Sequence, residues 1–478
     1  MTADVGAGTG PRDAGTGLSD AVTAKVLVIG IDGVLLDRVA DADAPRLTGL
    51  MAEGLTARSG LYTLPMAETM SGPGWSTLAT GVWPDKHGVK DNTFVGKRFD
   101  AHPDFLTRIK DAAPALRTYA AADWEPLTST LQNGPVFSAK IDKRLSLEGD
   151  GNGYDVEDPK IATAAAAELR DGDPDAAFVY FCEADEAGHL HGAASQQYLD
   201  AIARVDARIG QLLDALAARP AYHRENWRIL VATDHGHTDA GGHGGSSDAE
   251  RSTFVIATGA GIPAGSVRDD VKLVDVAATA LAHLGVPTTG LDGVPLDIRH
   301  QDDFEELGRP ESGFTHTPPA GWSVDNSRMG TGGAAVWHGW TFTTDAFWSR
   351  AERDQGRELN VRARGVFAVA DSGRWAAEPR TAAFDSTLTG PRRPVTGGTT
   401  RYLRFRTHYR HEAGQRAEVL VSYDGSQSAV VRSYTADAVA RSESIPLQVP
   451  AGATQVRVGF RYSGDDAWYW ALDGVQLD

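Results

Sequence analysis

The chain has 478 residues, of which 41% are hydrophobic and 23% are charged, as is typical of a globular protein with two or three domains. The formal net charge of −18 at pH 7 argues against a nucleic-acid backbone or an anionic membrane as a partner, but it leaves room for a small phosphate ester beside a metal ion. The single cysteine, Cys182, excludes an intrachain disulfide and a cysteine-rich metal site.

The first 23 residues are rich in glycine, alanine, threonine and aspartate and carry no apolar segment of the kind found in signal peptides. They predict a disordered leader. No apolar run reaches the roughly 18 residues of a membrane span. We therefore expect a cytoplasmic protein, with secretion as the alternative if a signal peptide has been removed.

Residues 24–300 alternate apolar strands with amphipathic helices. The segments 25–33, 176–185 and 227–236 are nearly continuous apolar runs, which are typical of strands buried on both faces of a parallel sheet. A helical repeat of leucine, isoleucine and valine covers 195–220 and ends at a proline. This order predicts an α/β domain with a doubly wound, mostly parallel sheet.

The pattern changes after residue 300. Residues 301–320 are polar and rich in proline and glycine, and we interpret them as a linker. Residues 321–478 contain alternating strands separated by turns, which predict an antiparallel β-sandwich or jelly roll. The aromatic residues 468–470 are expected mainly in its core. A glycan-binding module, a self-association surface and a lid over the catalytic cleft are three alternatives for this domain.

Each of the three apolar runs leads into an aspartate, and these are Asp32, Asp185 and Asp234. Carboxyl ends of parallel strands lie at one edge of a sheet, so the three side chains are expected to converge. Three buried carboxylates repel one another unless a cation neutralises them. An isolated aspartate at such a position more often caps the next helix, but three with adjacent histidines favour a metal site.

Histidines extend this candidate site. His189 lies four residues after Asp185, His235 directly follows Asp234, and His243 stands in a glycine-rich segment. Carboxylates and imidazoles are ligands of zinc, or of manganese where nitrogen ligands are fewer. Six candidate ligands suit two ions, an arrangement used for in-line phosphoryl displacement. His237 and His191 are interpreted as supporting donors or surface residues.

The segment "SGPGWSTLATG" (71–81) predicts a short helix that ends at Gly81. Its first residue, Ser71, is a hydroxyl placed where backbone N–H groups are free. On this segment alone, a helix cap is the simpler interpretation, and a nucleophile is the alternative.

Taken together, Asp32 in "VIGIDG", the Ser71 segment followed by "VWPDKHG", "DEAGHLHG" and "DHG" resemble the alkaline phosphatase superfamily, and its type I phosphodiesterase/nucleotide pyrophosphatase branch in particular. The resemblance covers about residues 24–300. It implies a metal-dependent phosphoric ester hydrolase that acts through a covalent intermediate on Ser71. It also implies two divalent ions, zinc or alternatively manganese. The ligand sets that it implies are Asp185, His189 and His243 for one ion, and Asp32, Ser71, Asp234 and His235 for the other.

The residues around Ser71 bear on the substrate. Trp75 occupies the position where sulfatases usually carry arginine, so a sulfatase is disfavoured. No arginine beside Ser71 offers a clamp for a dianionic monoester, which favours diesters or pyrophosphates. Gly72, Trp75 and Asn92 are candidates for substrate contacts. The alternatives are a phosphomonoesterase on a small metabolite, a mutase of the same superfamily, and a degenerate enzyme that serves as a binding protein.

Overall fold

The computed structural model describes residues 22–298, 303–304, 307, 310, 312–352, 355–360 and 362–478. Most of the leader predicted at 1–23 and seven residues of the linker predicted at 301–320 lie outside these residues, and Thr23 already begins the first strand. Within them, eight strands form one sheet in the order β4-β3-β5-β1-β6-β7-β2-β8. The strands are β1 (Thr23–Ile31), β2 (Leu55–Gly60), β3 (Thr118–Ala122), β4 (Lys143–Ser146), β5 (Ala176–Phe181), β6 (Glu225–Ala232), β7 (Ser252–Thr258) and β8 (Ser266–Arg268).

Strand β1 lies at the centre of this sheet, parallel to β5 on one side and to β6 on the other. Its side chains alternate between two apolar cores, because Val26 and Val28 pack on one face while Leu27 and Ile29 pack on the other. Burial on both faces explains why the sequence of β1 is continuously apolar. The prediction of a doubly wound, mostly parallel sheet is confirmed, with β7 antiparallel to both of its neighbours.

Helices cover both faces of the sheet. The longest, α10, has Val205, Ile209 and Leu212 buried against β-strand residues and ends at Ala217, three residues before the predicted Pro220 stop. The helices of this region are α1 (Leu36–Val39), α2 (Pro45–Glu53), α3 (Ser71–Thr80), α4 (Pro84–His87), α5 (Phe105–Ala112), α6 (Glu125–Thr128), α7 (Gly149–Asn152), α8 (Tyr154–Ala167), α9 (Glu183–His191), α10 (Gln196–Ala217), α11 (Asp248–Arg251) and α12 (Asp275–His283).

The C-terminal region is a sandwich of two antiparallel sheets. In the described part of the chain each has six strands, in the orders β10-β13-β19-β16-β17 (with β14 beside β19) and β18-β15-β20-β12-β11-β9. The elements are β9 (Phe314–Thr315), β10 (Ser323–Asp325), β11 (Thr341–Thr344), α13 (Asp345–Ala351), β12 (Val366–Asp371), α14 (Ser372–Ala376), β13 (Phe384–Thr389), β14 (Arg393–Pro394), β15 (Thr400–Tyr409), β16 (Arg416–Tyr423), β17 (Ala429–Tyr434), β18 (Ala438–Gln448), β19 (Gln455–Gly464) and β20 (Tyr469–Leu477). The predicted sandwich is confirmed, and Tyr469 and Trp470 lie in its core.

Buried polar contacts join the sandwich to the α/β region. Arg364 forms a bidentate ion pair with Asp275 at the start of α12, with N–O distances of 2.6 and 2.9 Å. The hydroxyl of Tyr62 donates to the carbonyl oxygen of Ala363 at 2.6 Å. Strand β9 falls inside the segment predicted as a linker and pairs with β11. Among the described residues, no helix is both long enough and apolar enough to cross a membrane.

Candidate metal centre and nucleophile

The three predicted aspartates lie at the carboxyl edge of neighbouring central strands. Asp32 directly follows β1, Asp234 and His235 follow β6, and Asp185 lies in the first turn of α9 just after β5. The parallel register of these strands brings the four side chains to one place. Asp32, Asp185 and His235 offer ligand atoms that all lie within 4.8 Å of one another.

His235 stands at the centre of one cluster. Its Nε2 lies 3.4 Å from Asp32 Oδ1, 3.3 Å from Asp234 Oδ2 and 3.3 Å from Ser71 Oγ. Ligand atoms about 2.0–2.1 Å from a shared zinc ion, at tetrahedral angles, are separated by about 3.3–3.4 Å. The Nδ1 atom of His235 lies 3.2 Å from the carbonyl oxygen of Gly236, and donation there leaves a lone pair on Nε2. This spacing fits four ligands of one ion.

The two carboxylates of this cluster have buried oxygens without hydrogen-bond partners. These are Oδ1 of Asp32 and Oδ2 of Asp234, the same atoms that face His235. The other oxygen of Asp32 accepts hydrogen bonds from Tyr180 Oη at 2.6 Å and from Trp75 Nε1 at 2.8 Å. Fully buried, unsatisfied carboxylate oxygens are costly without a cation, so their presence fits a metal at this point.

A second cluster surrounds Asp185. Its Oδ2 lies 3.4 Å from His189 Nε2, and its Oδ1 lies 3.7 Å from His243 Nε2 and 2.6 Å from His237 Nε2. The Nε2 atoms of His189 and His243 are 2.9 Å apart. His243 Nδ1 lies 2.7 Å from the carbonyl oxygen of Thr69, and donation there also leaves its Nε2 free to bind a cation. Four residues with atoms that could face a cation therefore meet here, and one of them is His237, which was predicted from the sequence as a supporting donor.

The pKa values of these groups show that burial and the nearby charges disfavour the charged forms of Asp32, Asp234 and His235. Burial, and then the charge of Asp185, raises the pKa of Asp32 to about 7. Burial and the charges of Asp32 and Asp185 raise the pKa of Asp234 well above its usual range. Burial, and then the proximity of His243, holds the pKa of His235 well below its usual value. A divalent cation would reverse the balance for the two carboxylates by stabilising their anionic forms, and it would further favour the neutral imidazole of His235.

Helix α3 carries Ser71 into the His235 cluster. Ser71 is its first residue, whereas the capping position belongs to Met70, and the helix ends at Gly81 in the left-handed conformation with a φ of 68°. The Ser71 side chain is 7% exposed. A Cβ atom at Gly74 would lie 2.7 Å from Cβ of Asp234, so glycine permits the close approach of α3 to the strand end.

The three candidate substrate contacts lie in different surroundings. Asn92 accepts a hydrogen bond from the backbone N–H of Gly72 through Oδ1 at 2.7 Å, and its amide group is thereby held next to Ser71. Trp75, by contrast, is completely buried and contacts Asp32 and Tyr180. Its position between the sheet and α3 gives it the role of a donor to a carboxylate.

Sequence analysis missed Tyr180 altogether. The other residues of β5 are apolar, so the sequence predicts only a buried strand. The alternation of side chains along the strand places the Tyr180 side chain on the same face of the sheet as Trp75. Among the histidines, His237 is fully buried in the Asp185 cluster, whereas His191 is exposed at the end of α9. The spacing of His237, two residues after His235, was the signal available in the sequence.

The chain is similar in sequence to several curated proteins. The human ectonucleotide pyrophosphatase/phosphodiesterase family member 7 is 26% identical over 234 residues, which cover 45% of this chain and 48% of that protein. The human family member 1 is 24% identical over 197 residues, or 37% of this chain and 20% of that protein. The chain thus spans about half or less of the length of these curated relatives.

A solved structure of murine ectonucleotide pyrophosphatase/phosphodiesterase 5 in complex with AMP aligns with a TM-score of 0.45 and 15% identity, covering 56% of this chain and 97% of that one. At the level of sequence, residues 26–358 match the family described as type I phosphodiesterase / nucleotide pyrophosphatase. Because this match covers more than half of the chain, the protein belongs to the type I phosphodiesterase/nucleotide pyrophosphatase family.

Proposed function

We propose that the protein is a two-metal phosphoester hydrolase of the phosphodiesterase/nucleotide pyrophosphatase type, with Ser71 as its nucleophile. The family is metal-dependent. The observation that carries the proposal is the set of contacts around His235 Nε2, where Ser71 Oγ and two unpartnered carboxylate oxygens lie at 3.3–3.4 Å. The hydroxyl oxygen of Ser71 therefore lies where it could bind the same cation as Asp32, Asp234 and His235.

The proposal includes two ligand sets, which the distances support. Asp185, His189 and His243 would hold one ion, and the other would be held by Asp32, Ser71, Asp234 and His235. The mixture of carboxylate oxygens and imidazole nitrogens suits zinc, with manganese as the alternative. When bound, such ions lower the pKa of the serine hydroxyl and of water, and they stabilise negative charge that develops on the phosphoryl group and the leaving group.

The side chains and backbone perform the remaining tasks. The oxygen of Ser71 attacks phosphorus and displaces one organic group, and in the second step water displaces the serine oxygen. In the first step Ser71 loses a proton and the departing alkoxide gains one, and in the second step water loses a proton and the oxygen of Ser71 gains one. Asn92, held by the backbone N–H of Gly72, offers its amide N–H groups to a phosphoryl oxygen.

The charges near Ser71 favour a diester or a pyrophosphate over a monoester. Asp91 precedes Asn92, and its charge, after burial, raises the pKa of Glu68, three residues before Ser71. The backbone of Asp91 adjoins Gly72, where a Cβ atom would lie 2.6 Å from the Asp91 carbonyl oxygen. Carboxylates in this neighbourhood repel a dianionic monoester more strongly than a monoanionic diester. The names of the curated relatives support the same substrate class.

The test compares bis-p-nitrophenyl phosphate with p-nitrophenyl phosphate, using zinc-loaded protein. We expect faster release of p-nitrophenolate from the diester, and a loss of more than about 1,000-fold in Ser71→Ala. The matched control is Ser76→Ala, because Ser76 is fully buried in the same helix and its hydroxyl oxygen has no hydrogen-bond partner.

The alternatives give different results in the same assay. A monoester rate above the diester rate would identify a phosphomonoesterase with the same nucleophile. Failure to bind metal, together with no hydrolysis of either ester, would support the degenerate binding protein.

A further inference from the structure

His237 occupies a closely fitted pocket beside the Asp185 cluster. The side chain is fully buried, and its Nε2 lies 2.6 Å from Asp185 Oδ1. Two glycines make room for the ring, since a Cβ atom at Gly33 or at Gly188 would lie 2.8 or 2.9 Å from the imidazole. Gly33 also adopts a φ of 65°, which favours glycine. The backbone therefore approaches the imidazole from two sides and fixes its position.

The distance to Asp185 distinguishes two roles for this imidazole. Two ligands of one tetrahedral zinc ion are separated by about 3.3–3.4 Å, and Asp185 Oδ2 and His189 Nε2 match that spacing at 3.4 Å. The 2.6 Å between His237 Nε2 and Asp185 Oδ1 is instead a hydrogen-bond distance. A carboxylate offers only lone pairs, so the proton of this bond belongs to Nε2 of His237. A protonated Nε2 is not a metal ligand.

Asp185 needs such a contact because it lies between the two clusters. Its ligand atoms are within 4.8 Å of His189 and His243 on one side and of Asp32 and His235 on the other. A carboxylate in this position can turn towards either cluster. The hydrogen bond from His237 holds Oδ1 and leaves Oδ2 directed at His189.

We propose that His237 is a positioning residue that donates a hydrogen bond to Asp185 Oδ1 and thereby commits Asp185 to the ion shared with His189 and His243. This inference rests on the two-metal site of the proposed function. Donors that orient ligating carboxylates typically change metal affinity by about 10–100-fold when they are removed. In the proposed ligand sets Asp185 would hold only the ion that it shares with His189 and His243, so the effect should be confined to that site.

The experiment measures the dissociation constants of both zinc ions by competition with a chromophoric chelator, in wild type, His237→Leu and His237→Gln. Glutamine retains an N–H donor at a similar reach, whereas leucine removes it. We expect the leucine variant to lose about 10–100-fold in affinity at one site only. The glutamine variant should stay within a few-fold of wild type at both sites. His189→Ala removes a proposed ligand of the ion held by Asp185 and so identifies which of the two dissociation constants belongs to that ion.

Two controls accompany these variants. His191→Gln changes an exposed histidine of α9, the helix that carries Asp185 and His189, and should leave both dissociation constants unaltered. Circular dichroism and thermal unfolding of the metal-free proteins check the fold, and His237→Phe, which retains a flat ring without a donor, replaces the leucine variant if that variant does not fold.

Two results would overturn the inference. Equal losses in the leucine and glutamine variants would make His237 a ligand itself, and unchanged constants in both would reduce it to a packing residue. Wild-type protein that binds no zinc would instead contradict the proposed function, so the two failures are distinguishable. The absorption spectrum of the Co²⁺-substituted protein provides a readout that is independent of activity, because loss of a directly bound imidazole changes it and loss of an outer hydrogen bond changes it little.

Discussion

The hydroxyl of Tyr180 is expected to hold Asp32 in place, and Tyr180→Phe removes that hydroxyl alone. The ring packs edge-on against Trp75 with centroids 5.2 Å apart, and phenylalanine preserves this contact. The lost hydrogen bond is 2.6 Å long and ends on a buried carboxylate. Hydrogen bonds to charged groups contribute about 1.5–3 kcal/mol, which corresponds to roughly 10–100-fold in an equilibrium constant. Trp75 still donates to the same oxygen, so Asp32 is weakened as a ligand but remains in the site.

The assay is the chelator competition used for the two zinc ions. We expect Tyr180→Phe to weaken the ion held by Asp32 and His235 by about 10–100-fold, with little change at the other site. Tyr119→Phe is the matched control, since Tyr119 is an equally buried tyrosine in the neighbouring strand but packs on the opposite face of the sheet. Equal zinc affinities in both variants and wild type would refute the reasoning.

Three further predictions concern the site, the fold around His87 and the contact between the sandwich and the α/β region. Gly74→Ala places a Cβ atom 2.7 Å from Asp234 Cβ, so zinc at that carboxylate should bind at least about 10-fold more weakly in a titration. Burial, and then the nearby His102, lowers the pKa of His87 to about 3 from 6.5, so the neutral imidazole stabilises the fold above pH 6.5. That contribution, on the order of 5 kcal/mol, should disappear as pH falls from 6.5 towards 3. The free energy of unfolding measured with urea should therefore fall less steeply with falling pH in His87→Gln than in wild type. Arg364→Met leaves Asp275 buried without its ion-pair partner and should lower the free energy of unfolding by about 3–5 kcal/mol; a change below about 1 kcal/mol would contradict the role of this ion pair.

The strand-end aspartates show which parts of the site can be read from the sequence. Asp32, Asp185 and Asp234 each follow an apolar run, and the rule that parallel strands share one carboxyl edge brings them together without any knowledge of side-chain contacts. The same rule brings the histidine that follows Asp234 to the same edge. These positions depend on the order and direction of the strands, which the pattern of apolar residues in the sequence predicts.

The roles of residues that depend on side-chain packing could not be predicted from strand order. Trp75 was a candidate for substrate contact, yet it is completely buried and donates to Asp32, because its face of α3 turns towards β1 and β5. Tyr180 was hidden in an apolar run. His237 was interpreted from its spacing alone, and only the 2.6 Å contact with Asp185 shows what it touches.

The sandwich illustrates the same division. Alternating strands after residue 320 predicted its antiparallel sheets, and burial of Tyr469 and Trp470 agrees with the expected core. Strand β9, only two residues long, carries no periodic signal and lies in a segment whose composition indicated a linker. The antiparallel direction of β7 likewise depends on how the chain crosses the sheet after the glycine-rich segment, which local sequence does not record.

Attack by Ser71 on phosphorus is the central claim, and the stereochemistry at phosphorus tests it most directly. A phosphorothioate diester that is chiral at phosphorus would be hydrolysed by the zinc-loaded protein in ¹⁸O-enriched water. Two successive in-line displacements, first by Ser71 and then by water, each invert the centre, so the account predicts net retention of configuration. Inversion would show that water attacks the diester directly and would contradict the role assigned to Ser71.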